Sequence, residues 1–297
     1  MDLTVLSPHS KPTQTHSITF DAIGTQWSID SNAQLSLDVR RAIKHCIDQF
    51  DHAYSRFRSD SLVAKLNASP TTMTFPDSAT TLMRFYQELY DVTDGKVTPL
   101  IGAQLVDAGY DQGYSFISST VRPLPTWREA MQWHGSTVQT YLPIVLDVGA
   151  AGKGLLVDQI ATILDESDCE SYAIDASGDI RHSGKGMERI GLENPDDPSR
   201  VLGVAEVANK SLCASASNRR VWGDGMHHIF DPTTKQPTNA VRATWVVAND
   251  TMTADGIATA LFFVDANRLA QWDFMYVRLL ANGIIERSEN FMGELYL

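Results

Sequence analysis

The sequence predicts an α+β protein in which helices pack against mixed or antiparallel sheets. Three observations carry this. Hairpin signals stand at both ends of the chain, around Gly24 and at Asn282-Gly283. Apolar residues recur at helical spacing in the stretches between them. Helices and hairpins intermix without the strict βαβ alternation that a doubly wound parallel sheet requires.

In chain order, residues 1–16 are rich in Ser, Thr, Pro and His and read as a flexible lead-in to one domain over 17–297. Ile18-Thr19-Phe20, Gly24-Thr25 and Trp27-Ser28-Ile29 read as a strand pair around a glycine turn. Leu35, Val39, Ile43, Ile47 and Phe50 place a helix over about 35–52. Leu82, Phe85, Tyr86 and Leu89 place a second over 77–93, stopped by Asp94-Gly95. Leu142 to Val148 is a buried-strand candidate ending in Gly149-Ala150-Ala151-Gly152-Lys153-Gly154. A helix follows, with Leu155, Leu156, Ile160, Ile163 and Leu164 inward. Tyr172–Ile174 and Ile180–His182 flank a Ser177-Gly178-Asp179 turn, and Trp245–Ala248 is a strand. Thr253 caps a helix carrying Ile257, Ala258, Leu261 and Phe262. Asn282-Gly283 then turns Val277–Leu280 into Ile284–Arg287, with the positive φ angles of a type I′ turn.

Composition excludes several classes. The 297 residues carry 24 basic and 36 acidic side chains, a net charge of −12, without a long Lys/Arg run. This argues against nucleic acid or anionic membrane as partner. No apolar run approaches the roughly 20 residues that span a bilayer. Cys46, Cys169 and Cys213 are widely spaced and odd in number, so neither a disulfide framework nor a thiolate zinc site is expected. The first residues lack a basic n-region and an apolar h-region. They predict a cytoplasmic protein, a removed leader being the alternative.

Four constellations can carry chemistry. Asp147 to Gly154 joins a strand to a helix. Its small residues and the helix N-terminus suit a phosphate, with Lys153 as a point charge; tight helix–strand packing would use the same residues. Asp255 and Thr259 are four apart on one helix face. A carboxylate beside a hydroxyl suits a hard cation such as Mg²⁺, and a dipole-favoured Asp with a back-bonded Thr is the plain alternative. His228, ahead of Asp231-Pro232, could serve as a general base or simply as a backbone-satisfied turn residue. His227 and His228 point to opposite faces if they lie on a strand, which disfavours a shared metal. Ser215 to Arg220 could bind phosphate or ribose, or form a solvated turn.

The order of these elements decides between such readings. Asp147-Val148-Gly149-Ala150 with Lys153-Gly154 and Asp158, Ser177-Gly178-Asp179, Ser215 with Arg220, His228-Ile229-Phe230-Asp231-Pro232, and Ala254-Asp255 with Ala258-Thr259 follow one another. Ala22-Ile23-Gly24-Thr25, Ser55-Arg56-Phe57 with Asp60-Ser61 and Asn67, and Asp94 to Pro99 precede them. The set resembles the FAD:protein FMN transferase family, the ApbE-like flavin transferases, over about residues 18–290. The resemblance implies an ApbE-like fold and Mg²⁺-dependent transfer of FMN from FAD to a Thr or Ser hydroxyl of an acceptor protein, with release of AMP. It implies that the Ala150 carbonyl, Asp255 and Thr259 hold the metal. Ile23, Phe57, Lys96, Val97, Thr98, Asp147, Lys153 and Ile229 would line the FAD site, and His228 would help deprotonate the acceptor. The chain departs from the family pattern at Thr98, at Ala214 and Ala216, at Ser177, at Asn218 and at Lys235. A non-enzymatic FAD-binding protein and an FAD pyrophosphatase giving FMN and AMP are the alternative activities.

Overall fold

The computed structural model describes residues 16–223 and 225–296. Its centre is an eight-stranded antiparallel sheet whose strand order follows the chain. The strands are β1 (His16–Ala22), β2 (Thr25–Ser31), β3 (Tyr172–Asp175), β4 (Asp179–Ser183), β5 (Ser211–Ala216), β6 (Val241–Ala248), β7 (Phe274–Leu280) and β8 (Ile285–Arg287). Every neighbouring pair is antiparallel. The long helices are inserted into this meander. α1 (Leu37–Tyr54), α2 (Ser78–Val92) and α3 (Gly152–Asp165) fall between β2 and β3, and α4 (Thr251–Ala260) falls between β6 and β7.

The sheet has two covered faces. Trp27, Ile29, Ile174, Cys213, Val246 and Ala248 pack with the helices in the larger core. The alternate residues Leu212, Ala243, Trp245 and Val247 join a second core. That core lies under a three-stranded sheet of Glu188–Asn194, Asp197–Val207 and Gly293–Leu295. Strands covered on both faces read as unbroken apolar runs, which is why β6 is apolar at nearly every position.

The helices expected over 35–52 and 77–93 form with ends shifted by one or two residues, and the two expected after Gly154 and around Ile257 form as α3 and α4. The Ser36 hydroxyl caps α1 by accepting the Val39 N–H at 3.2 Å. Gly154 sits where α3 crosses α4: a Cβ there would stand 2.4 Å from the Thr251 carbonyl oxygen. The Asp158 carboxylate on α3 accepts the N–H groups of Thr251 and Met252, both at 2.8 Å, and so completes the start of α4.

Several expectations need correction. Residues 142–148 form no strand. Ile144, Leu146 and Val148 are buried in alternation, which imitates a strand. Their backbone bonds are isolated, however: the Ile144 N–H donates to Leu66 O and the Asp147 N–H to Pro99 O. The cap of α4 is Asp250, whose side chain accepts the Thr253 N–H at 2.8 Å; Thr253 lies inside the helix. The turn at Asn282-Gly283 is not type I′, because only Gly283 has positive φ (85°). Gly283 N–H donates to Leu280 O and Leu280 N–H to Ile284 O, the pattern of a three-residue loop with a left-handed third residue. Hairpin turns with two positive φ angles occur instead at Ile23-Gly24, at 42° and 81°, and at Ser177-Gly178, at 60° and 103°. The lead-in falls largely on residues 1–15, outside the described residues, and β1 already begins at His16. Among the described residues no helix is long and apolar enough to cross a membrane.

Candidate active site

In an antiparallel meander, alternate connections gather at one end of the sheet. Here the β1–β2 turn, the β3–β4 turn, the end of β5 and the start of β6 meet there. They enclose a cavity of about 390 Å³ together with residues 96–101, residues 147–153 and the inner face of α4. That volume falls within the range of small-molecule sites. Ten sequence-predicted residues line it: Lys96, Val97, Thr98, Asp147, Ala150, Lys153, His228, Ile229, Asp255 and Thr259. Ile23 and Phe57 do not. Ile23 neighbours Gly24, which does line the cavity, and packs against the main core. Phe57 belongs to an adjoining aromatic cluster, stacked on Tyr114 with ring centroids 5.1 Å apart.

The floor is tied down by partners distant in sequence. The Arg56 guanidinium, almost fully buried, donates to Asp147 Oδ2 at 2.5 Å and to the Tyr110 carbonyl at 2.8 Å. Asp147 Oδ1 accepts the Gly149 N–H at 2.7 Å. Burial pushes the Asp147 carboxyl up, but Arg56 and the Gly149 N–H outweigh it and hold it below the usual range. The Ala150 N–H donates to the Tyr86 hydroxyl at 3.1 Å, which orients the Ala150 peptide. Nothing in the spacing of Arg56, Tyr86 and Asp147 announces these contacts.

Lys153 is not the free point charge its loop suggested. Its Nζ stands 3.1 Å from Asp179 Oδ2 and donates to the Ala176 carbonyl at 3.1 Å. Burial alone would lower its pKa, but the negative charges of Asp179 and Asp255 outweigh that and hold it above its ordinary value. Asp255 is buried on α4, and its Oδ2 accepts the Gly154 N–H at 3.0 Å. Burial, and then the nearby Asp179, push its carboxyl well above the usual range. Lys153 and Arg220 offset this only in part, so a cation bound beside Asp255 would favour its charged form. Ala150 and Thr259 line the same cavity, so a carbonyl, a hydroxyl and the Asp255 carboxylate share it, oxygen donors of the kind a hard cation takes. Among the described residues no group of three or more His, Cys, Asp or Glu side chains is placed to hold a metal ion.

The two histidines separate cleanly. His227 Nε2 lies 2.9 Å from the Thr238 carbonyl and Nδ1 accepts the Ile229 N–H at 3.3 Å, so both nitrogens are spent on backbone. His228 Nδ1 lies 3.0 Å from the Arg219 carbonyl. A carbonyl only accepts, so Nδ1 carries the proton and Nε2 keeps its lone pair. Burial, reinforced by Arg220, lowers the His228 pKa to about 3, so the ring is neutral at ordinary pH. Thr98 is buried, and its hydroxyl accepts the Leu100 N–H at 3.2 Å. It therefore caps the short helix Pro99–Ile101, a role that an Asp fills equally well.

The ApbE family profile matches residues 23–273. The chain belongs to the ApbE family. A Vibrio cholerae protein named FAD:protein FMN transferase is 26% identical over 289 residues, covering 90% of this chain and 86% of its own. An Escherichia coli protein of the same name is 25% identical over 284 residues, covering 84% and 80%. Among solved structures, the ApbE protein from Thermotoga maritima superposes with a TM-score of 0.82 at 23% identity, covering 93% of this chain and 97% of that one. The flavin transferase ApbE from Vibrio cholerae superposes with a TM-score of 0.74 at 20% identity, covering 93% and 98%. These superpositions establish the ApbE fold and its α+β class.

Proposed function

We propose that the protein transfers FMN from FAD to a Thr or Ser hydroxyl of an acceptor protein and releases AMP, with Mg²⁺ as the supporting ion. The observation that carries this reading is a neutral His228 whose Nε2 has no partner among the described residues, in the same cavity as Asp255, Thr259 and Ala150. The name shared by the family relatives supports it, as does the span of the match.

In the proposed step the acceptor hydroxyl gives its proton to His228 Nε2. The freed oxygen attacks the phosphorus of the FMN half, and the bond from that phosphorus to the bridging oxygen breaks. The bridging oxygen leaves with AMP, so one phosphoester replaces one anhydride bond. Asp255, Thr259 and the Ala150 carbonyl would hold Mg²⁺, which supplies neutralisation of charge at the diphosphate. Asp147, fixed by Arg56, and the segment Lys96–Thr98 line the flavin nucleotide with Ile229. Ile23 and Phe57 would act from the margins of the cavity. Residues 17–297 would serve as one catalytic domain.

The test is incubation with FAD, Mg²⁺ and candidate acceptor peptides, read by in-gel flavin fluorescence and chromatography of AMP. Labelled peptide with equimolar AMP is expected. FMN and AMP without labelled peptide would make the protein a pyrophosphatase. Bound FAD without AMP would make it a flavin-binding protein.

A further inference from the structure

Four cationic side chains line the cavity: Lys96, Lys153, Arg219 and Arg220. Three are already paired. Lys96 Nζ stands 3.4 Å from Asp231 Oδ2, Lys153 Nζ 3.1 Å from Asp179 Oδ2, and Arg219 Nη2 2.6 Å from Glu193 Oε1. Arg220 forms no ion pair or side-chain hydrogen bond with any of the described residues. Arg220 is exposed at the mouth of the cavity that it lines, close enough for its charge to act on Tyr110, Asp147, His228 and Asp255. Its backbone sits at φ 48°, a left-handed conformation that side-chain-bearing residues seldom adopt.

A cation without a partner among the described residues, at the mouth of a cavity that also holds the proposed metal ligands and a neutral imidazole, is available to an anionic ligand. A guanidinium offers parallel N–H donors that match two oxygens of a phosphate, which an ammonium cannot do. We infer that Arg220 is the side chain that grips the diphosphate of FAD, while Lys153, tied to Asp179 and the Ala176 carbonyl, positions the Ser177-Gly178 turn. The inference takes FAD as the ligand from the proposed function but does not need transfer to occur.

The experiment titrates wild type, Arg220→Met and Arg220→Lys with FAD and with riboflavin, which has the ring but no phosphate, at fixed Mg²⁺. Flavin fluorescence reads binding and circular dichroism confirms folding. Arg220→Met is expected to weaken FAD at least about 10-fold and leave riboflavin unchanged, with Arg220→Lys between. Where transfer is active, Arg220→Met should slow it about 10²- to 10³-fold, the loss usual for a preorganised donor on developing charge. Equal weakening of FAD and riboflavin, or undiminished FAD binding, overturns the assignment. So does a wild-type protein that holds FAD no tighter than riboflavin. Arg220-dependent preference for FAD without any AMP release would sink the transfer reaction and leave this assignment standing.

Discussion

At the floor of the cavity the charges are spoken for: Arg56 holds Asp147, and Lys153 holds Asp179. At the rim, His228 keeps one ring nitrogen uncommitted, and Arg220 has no side-chain partner among the described residues. The floor groups come from the segment just after α1, the segment leading into α3, the first turn of α3 and the start of β4, elements packed against the main core. The rim groups come from the stretch between β5 and β6, where the strands among the described residues are two-residue pairs. The contrast separates two tasks. A floor whose dipoles are fixed before the ligand arrives costs no reorganisation when charge develops. A rim with unspent donors and acceptors offers its bonds to the substrate.

This division is open to breakage, and the largest effect belongs to the floor. Asp255→Ala should reduce Mg²⁺-dependent flavin transfer to background, measured by in-gel fluorescence, because no other carboxylate at the proposed metal position replaces it. Substantial transfer by that variant would remove Asp255 from the metal site.

His228→Ala comes next, lowering kcat about 10²- to 10⁴-fold with FAD binding nearly unchanged. Its pH dependence sharpens the point. Burial lowers the His228 pKa to about 3, so the neutral base persists far below the ordinary His range. kcat/KM should therefore show no acid limb near pH 6.5 from this residue. Stability moves separately. An unfolded chain takes up the proton near pH 6.5 and the folded chain does not, so this contribution to stability is complete above 6.5 and drains away as pH falls toward 3. A limb near 6.5 that vanishes in His228→Ala would show that the ring titrates normally.

A floor built by close packing should also resist added volume. Gly154→Ala should cost about 1–3 kcal/mol in urea unfolding, since its Cβ would meet the Thr251 carbonyl at 2.4 Å. A neutral result would mean that α3 and α4 can part at their crossing without loss. The smallest change is at the rim. Lys235 stands at φ 59°, where the family pattern has glycine. Lys235→Gly should raise stability by up to about 1 kcal/mol by relieving the left-handed strain, read as a small rise in Tm.

Much of the fold was legible because its signals are local. The apolar periodicity of α1 and α2 and the hairpins at Gly24 and Gly283 depend only on neighbouring residues. Residues 142–148 misled for the same reason. Alternating burial of Ile144, Leu146 and Val148 looks like a strand, yet no neighbouring strand pairs with that stretch. The motif order also brought ten of the twelve named site residues to one cavity, leaving out Ile23 and Phe57. The aromatic cluster that takes Phe57 is assembled from Tyr110, Tyr114, Phe116 and Trp222, and no local pattern foretells it.

The sequence by itself determined which chemical groups are available, the order in which they occur and the helices and turns that carry them, because these follow from residue type and short-range periodicity. Only the tertiary structure decided how each group is used. Whether Lys153 faces Asp179 or a ligand, which His228 nitrogen bears the proton, and which of four cations lacks an ion-pair partner among the described residues all depend on residues that are not sequence neighbours. Those residues meet only after the meander closes, and the burial that then surrounds them sets their charge.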